Sequence, residues 1–151
     1  MGFALPSGAQ AHDFEVYTLE PSPDWCEELH RVAHPADVVE LLPGRYPGGC
    51  DLTLGGDAAL SEALLVYGQL PGETFIEADA DGLSLRVSGE PTRLYQLQLE
   101  GRLDVVANNV TVDSSVLACL NVAPGVERFT LVFSEAGDID LTLSDTVIRG
   151  N

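Results

Sequence analysis

The sequence predicts an all-β domain built as a parallel β-solenoid, in which each turn of the chain stacks on its neighbours. The leucines Leu97, Leu120 and Leu141 lie 23 and 21 positions apart, which is too long for hairpins and fits one solenoid turn. Segments of the second half also alternate apolar and mostly polar residues, as a strand with one buried face requires. These segments are 83–87, 95–100, 110–113, 129–134 and 139–144.

Length and charge limit the class of protein. The chain has 151 residues, 45% of them hydrophobic, which is enough for one domain with a sizeable core. Its net charge is −17, and its seven basic residues are all arginines. We therefore expect no nucleic-acid partner, because phosphate contacts need clustered basic side chains. Membrane insertion is not expected either, because no apolar run approaches the roughly 20 residues of a span.

The acid excess has more than one interpretation. Charged side chains keep a repetitive β surface soluble and prevent pairing along its edges. A salt-rich habitat and a cation-binding surface are the alternatives.

The first residues precede the predicted domain. Residues 1–20 are interpreted as an N-terminal arm or a leader remnant, since Ala9-Gln10-Ala11 is similar to a signal-peptidase site. Residues 12–20 alternate loosely and favour a short strand. A capping helix is predicted over 21–35, with Ser22 as its N-cap and Pro23 in its first turn. Such a helix would cover the open apolar end of a solenoid.

Three cysteines indicate one disulfide and one free thiol. Cys26 and Cys50 flank the unit between the helix and the first strands and are predicted to form a bridge. Such a bridge favours an oxidising compartment, so we expect a secreted, cell-surface or periplasmic protein. Cys119 lies in an apolar strand and is predicted to be buried.

The segment after the helix resembles a known family. Pro35-Ala36-Asp37, an apolar run and then Pro43-Gly44-Arg45-Tyr46-Pro47-Gly48 are similar to the opening motif of right-handed parallel β-helix proteins of the pectate-lyase-like superfamily. The family usually has glycine where this chain has Ala36. The resemblance implies a right-handed parallel β-helix of about five coils over 36–151. That fold occurs in lyases, hydrolases, epimerases, adhesins and non-catalytic binding proteins.

One local pattern is typical of a metal site. Glu77, Asp79 and Asp81 alternate before Gly82, as acids do at the start of a calcium loop. The position that would hold the last ligand is Ser88, so a solvated turn is the preferred interpretation. We expect no cofactor, with calcium at these three residues as the alternative.

Rows of outward carboxylates on adjacent strands are the candidates for acid–base catalysis. The predicted outward residues include Glu100, Asp104, Asp113, Asp140 and Asp145. The NTD, GHG and RIK strings of polygalacturonases do not occur in this sequence, and it contains no lysine base. The enzyme prediction is therefore open and leans towards no activity.

Aromatic residues are predicted mainly for the core. Most of the following six are predicted to point inward: Tyr46, Tyr67, Phe75, Tyr95, Phe129 and Phe133. Tyr46 alone, in a Pro-Gly turn, is also considered as a platform for stacking a sugar ring.

Two hypotheses of function follow. The first is an exported, non-catalytic module that binds or displays polysaccharide, or forms a structural element of a cell surface. The second is the N-terminal part of a polysaccharide lyase or glycoside hydrolase whose catalytic coils lie beyond Asn151. The predicted partners are polysaccharide and a second copy of the chain, which would pair end to end through an open strand edge.

Overall fold

A computed structural model describes residues 16–33, 37–56, 59, 62–70, 72–141 and 146–149, with the backbone alone for 138–141 and 146–149. The described residues form one helix and fourteen strands. The prediction of an all-β chain is therefore confirmed.

The helix is α1 (Trp25–Val32). The strands are β1 (Val16–Leu19), β2 (Val38–Leu41), β3 (Gly44–Tyr46), β4 (Cys50–Leu52), β5 (Leu64–Gly68), β6 (Thr74–Ile76), β7 (Leu83–Val87), β8 (Thr92–Tyr95), β9 (Gln98–Val105), β10 (Val110–Asp113), β11 (Val116–Val122), β12 (Phe129–Val132), β13 (Glu135–Leu141) and β14 (Thr146–Arg149).

The strands make two seven-stranded sheets. Sheet A has the order β1-β2-β5-β8-β10-β12-β14, and sheet B contains β3, β4, β6, β7, β9, β11 and β13. Every pairing found between described strands is parallel, as predicted. From β7 onward, successive strands alternate between the sheets. Each connection therefore carries the chain from one sheet to the other.

The register between neighbouring strands differs from the predicted spacing. Leu120 pairs with Leu103 on one side and Ile139 on the other, so successive partners are 17 and 19 positions apart. Leu97 is not a partner of Leu120, because it lies in the connection between β8 and β9. Leu141 is a strand residue, but it pairs with Val122. Both predicted spacings were therefore too long, because neither joins two partners in the register.

The core consists of inward side chains that are stacked in register. One row crosses sheet A through Val39, Val66, Leu94, Val112 and Leu131, each of which is buried. Burying one such side chain contributes about 1.5–3 kcal/mol. The period-2 pattern of the sequence places these residues on one face, which is why the strands form.

The helix closes onto this core through one face. Trp25 and Leu29 are buried, and the Trp25 indole Nε1 donates to the Pro47 carbonyl at 2.9 Å. The helix is shorter than the predicted 21–35, because it begins after Asp24. Ser22 does not directly precede the helix, and its Oγ accepts the Asp24 N–H at 3.0 Å.

Three connections from sheet A to sheet B share one backbone feature. Directly after β8, β10 and β12 come Gln96, Ser114 and Phe133, with φ of 59°, 54° and 48°. This left-handed conformation is uncommon for residues other than glycine and asparagine. It turns the chain sharply and ends the inward–outward alternation of the strand before it.

Serine hydroxyls form hydrogen bonds between successive connections, and we call this series of bonds the serine ladder. The Leu97 N–H donates to Ser115 Oγ at 3.1 Å, and the Ser115 N–H donates to Ser134 Oγ at 3.1 Å. Both serines are buried, and their hydroxyls donate to the carbonyls of Asp113 and Val132. The ladder satisfies backbone N–H groups that no strand partner can reach.

Candidate functional site: an open aromatic groove

An open groove of about 430 Å³ lies along the outward face of sheet A. We call it the aromatic groove. Its lining residues are Leu65, Arg93, Tyr95, Asp113, Ser114 and Phe133. They come from β5, β8, β10 and the two connections that follow β10 and β12, so the groove runs across the strands.

The strand register explains why these side chains meet. Tyr67, Tyr95 and Asp113 are partners on three adjacent strands, and outward side chains in such a row stand roughly 4.8 Å apart. Because Asp113 pairs with Val132, the next residues, Ser114 and Phe133, are also neighbours. The row therefore offers aromatic and polar groups in close succession.

An ion pair forms the polar part of the groove. Arg93 Nη2 donates to Asp113 Oδ2 at 2.9 Å, and Ser114 Oγ donates to Asp113 Oδ1 at 2.9 Å. The Arg93 side chain is 49% exposed, so the pair contributes at most about 1 kcal/mol to stability. It leaves N–H donors and carboxylate lone pairs facing the groove.

Phe133 forms the apolar wall. Its side chain is 69% exposed, the largest exposure among the big apolar side chains described. Its φ of 48° is also unfavourable for a bulky side chain. Gln96 and Ser114 share this backbone conformation at the equivalent turns, so the turn itself belongs to the fold. The exposure of a large apolar ring at such a turn is the energetic cost that core packing does not explain.

A second polar group borders the groove at Tyr67. The Tyr67 hydroxyl donates to Glu40 Oε2 at 3.2 Å, and Thr18 Oγ1 donates to Glu40 Oε1 at 3.0 Å. Partial burial and the nearby charge of Glu40 raise the pKa of Tyr67. The phenol therefore remains a neutral donor at physiological pH.

The sequence placed most of these aromatic residues wrongly. Phe129 and Tyr46 are buried as predicted, but Tyr67, Tyr95 and Phe75 are partly exposed and Phe133 is fully outside the core. Simple alternation from Phe129 puts Phe133 inside, and the left-handed turn after Val132 reverses it. Asp113, by contrast, was predicted on the outward face and lines the groove.

Tyr46 does not serve as a sugar platform, because it is fully buried. Its hydroxyl donates to the Leu42 carbonyl at 2.6 Å, and its ring meets Trp25 edge-on at a centroid distance of 5.3 Å. Burial raises the pKa of Tyr46 well above its ordinary value of 10, with the charge of Glu20 adding to the effect.

Tyr46 should make folding sensitive to alkali. The raised pKa means that the folded state disfavours the phenolate, so this stabilisation is intact below about pH 10 and is lost as the pH rises further. Tyr46→Phe should cost about 1 kcal/mol at pH 8, where the Leu42 carbonyl loses its donor. Urea unfolding should show that the free energy of unfolding of Tyr46→Phe is closer to that of the wild type at pH 11 than at pH 8, or exceeds it. Parallel pH profiles for the two proteins would contradict the assignment.

The carboxylates of Glu77 and Asp79, two of the three candidate calcium residues, bond to groups of the protein. Glu77 Oε2 accepts from Arg45 Nε at 2.9 Å, and Arg45 also pairs with Glu100 and stacks over Phe75 at 5.2 Å. Asp79 Oδ1 accepts the N–H groups of Asp81 and Leu83 at 2.8 and 2.9 Å.

This arrangement fits the solvated turn that was preferred for 77–82. In the part of the chain that the structure describes, no three His, Cys, Asp or Glu side chains form a group that could hold a metal ion.

Two of the other predicted carboxylates, Glu100 and Asp104, do not line the groove. Glu100 pairs with Arg45, and Asp104 Oδ1 accepts from Arg102 Nε at 2.6 Å. The side chains of Asp140 and Asp145 lie outside the described residues.

The predicted disulfide is present. Cys26 and Cys50 are bonded, with their Cα atoms 5.7 Å apart, and so tie the helix to β4. Cys119 is a free thiol, but it is partly exposed and not buried as predicted. It lies on the outward side of β11, where the register shifts against β9.

Comparisons with protein-family models, with curated proteins and with solved structures found no match to this chain. No helix among the described residues is long and apolar enough to cross a membrane. The site must therefore be interpreted from its own chemistry.

Proposed function

We propose that this chain is an exported, non-catalytic module that binds polysaccharide in the aromatic groove. In this proposal the two parallel sheets are faces of a right-handed β-helix of the pectate-lyase-like kind. The Cys26–Cys50 disulfide supports export, because such bonds persist in oxidising compartments.

The sheet topology supports the winding. Strands alternate between sheets A and B from β7 onward, and each pairs in parallel with the strand two positions later. A chain that returns repeatedly to the same sheet in parallel crosses over with a right hand in about 98% of cases. The serine ladder of Ser115 and Ser134 adds a repeated contact between successive connections.

The exposed ring of Phe133, which lines the groove, is the observation that carries the binding proposal. Pyranose rings present faces of C–H groups that pack on aromatic rings, and their hydroxyls both donate and accept hydrogen bonds. Phe133 and Tyr95 offer such faces, and the Arg93–Asp113 pair offers charged hydrogen-bonding groups beside them. An open groove across several strands suits a chain of sugars.

The groove supports binding better than catalysis. Paired-carboxylate glycoside hydrolysis needs two acids, one on each side of the bond. Of the residues lining the groove, Asp113 alone is a carboxylic acid, and Arg93 and Ser114 both bond to it. Its chemistry is therefore that of a hydrogen-bond acceptor held in place.

Phe133→Asn should separate binding from stability. Asparagine tolerates the left-handed conformation, so the free energy of unfolding should rise by about 0.5–1 kcal/mol. Affinity for the polysaccharide should fall at least about tenfold, as for loss of a central aromatic contact. The measurement is affinity electrophoresis through gels containing neutral polysaccharides such as xylan, β-glucan or galactan, with urea unfolding alongside.

Gln96→Asn is the matched control, since Gln96 has the same backbone conformation but does not line the groove. It should gain similar stability and keep full binding. If a gel that retards the wild-type protein retards Phe133→Asn equally, the aromatic groove is not the binding site for the polysaccharide. Release of reducing sugar by the wild-type protein would instead support the hydrolase hypothesis.

A further inference from the structure

We infer that the aromatic groove selects uncharged polysaccharide and rejects polyanionic chains such as polyuronates. This inference rests on the proposed function and names the class of ligand. It follows from the charges in and around the groove.

None of the residues that line the groove carries an unpaired positive charge. Arg93 is the one cation that lines it, and Asp113 neutralises it at 2.9 Å. A carboxylate on the ligand would have to displace Asp113 from Arg93, and it would then lie beside the displaced Asp113. Hydroxyls of a neutral sugar can instead bond to both partners without separating them.

One end of the row that lines the groove carries a further negative charge. Glu40 lies at the Tyr67 end, with its two oxygens accepting from Thr18 and Tyr67. The strand register places Glu40, Tyr67, Tyr95 and Asp113 in one outward row, so a ligand along this row meets two carboxylates. Like charges a few ångströms apart repel strongly where water is partly excluded.

The charge of the whole chain acts in the same direction. The net charge is −17, so a polyanion is repelled before it reaches the surface, most strongly at low ionic strength. Neutral polysaccharide is not subject to this repulsion. The short-range and long-range charges therefore favour the same class of ligand.

The test uses polysaccharides that share a backbone and differ in charge. Polygalacturonate is compared with its methyl-esterified form, and carboxymethyl-cellulose with hydroxyethyl-cellulose, by affinity electrophoresis at low salt with chelator present. We expect the neutral member of at least one pair to retard the protein at least about tenfold more strongly than its anionic counterpart. Equal or stronger retardation by the anionic member would overturn this inference and leave the proposed function standing. If neither these four polymers nor the neutral panel retards the protein, the proposed function itself fails.

A pair of variants locates the selection in the groove. Glu40→Gln with Asp113→Asn removes two negative charges beside the ligand and keeps a carbonyl acceptor at each position. It should raise affinity for the anionic members about three- to tenfold. Glu27→Gln with Glu28→Gln removes the same charge in the first turn of α1, whose residues do not line the groove. It should raise the affinity by less than about twofold, through the lower net charge alone. Equal gains from the two double variants would refute selection by the groove.

Discussion

Replacing Gly48 with alanine should lower the free energy of unfolding by about 4 kcal/mol, or prevent folding altogether. A Cβ atom at this position would lie 2.7 Å from the Leu83 carbonyl oxygen and closer still to that of Glu77. Both are backbone atoms of strands and turns that cannot move without breaking their hydrogen bonds. The chains around Gly48 pack so closely that only a hydrogen fits between them.

Gly82→Ala is the matched control for this effect. Gly82 has a φ of 81°, and no atom of the described residues lies within 4 Å of a Cβ built there. Alanine should therefore cost only the left-handed strain, about 1–2 kcal/mol. Urea unfolding of the two variants compares the loss of stability caused by a steric clash, at Gly48, with the loss caused by backbone strain, at Gly82. A loss at Gly48 no larger than the loss at Gly82 would show that the strands are not packed as described.

Breaking the disulfide should have the second-largest effect. Cys26 and Cys50 are 24 positions apart, and closing a loop of this length removes chain entropy from the unfolded state worth about 3 kcal/mol. Cys26→Ser should lower the melting temperature accordingly. Thermal unfolding with and without reductant should show the same decrease in the wild-type protein.

Cys119→Ser provides the control for this prediction, since Cys119 is a partly exposed free thiol. It should change stability by less than about 0.5 kcal/mol and remain sensitive to reductant. The Cys26→Ser protein should not respond to reductant. A wild-type melting temperature that is equal under oxidising and reducing conditions would contradict a stabilising bridge.

The sequence predicts strands well where alternation alone decides them. Val110–Asp113 is a strand with the predicted limits, because its valines point inward and Thr111 and Asp113 outward. It predicts the turns poorly. Residues 95–100 were predicted as one strand, but the left-handed Gln96 divides them between β8 and β9. Glutamine is not a residue from which such a turn is expected, so the sequence carries no local signal there.

The groove was missed for the same physical reason. Phe133 was assigned to the core by counting every second residue from Phe129, and the turn at Phe133 ends that count. Ser115 and Ser134 contain the signal that could have found it. A serine two positions after the end of a strand favours a turn, because its hydroxyl can bond to nearby backbone groups. The contact of Arg93 with Asp113 depends on which strands are neighbours, which alternation does not reveal.

In the proposed function, sugar chains bind along the outward face of sheet A. Chemical-shift mapping of the ¹⁵N-labelled protein, titrated with oligosaccharides from the most retarding neutral polymer, tests it most directly. The predicted result is that the perturbed amides cluster at Arg93, Tyr95, Ser114 and Phe133. Perturbations confined to the Arg45 and Glu77 face of sheet B, or none at saturating oligosaccharide, would contradict it.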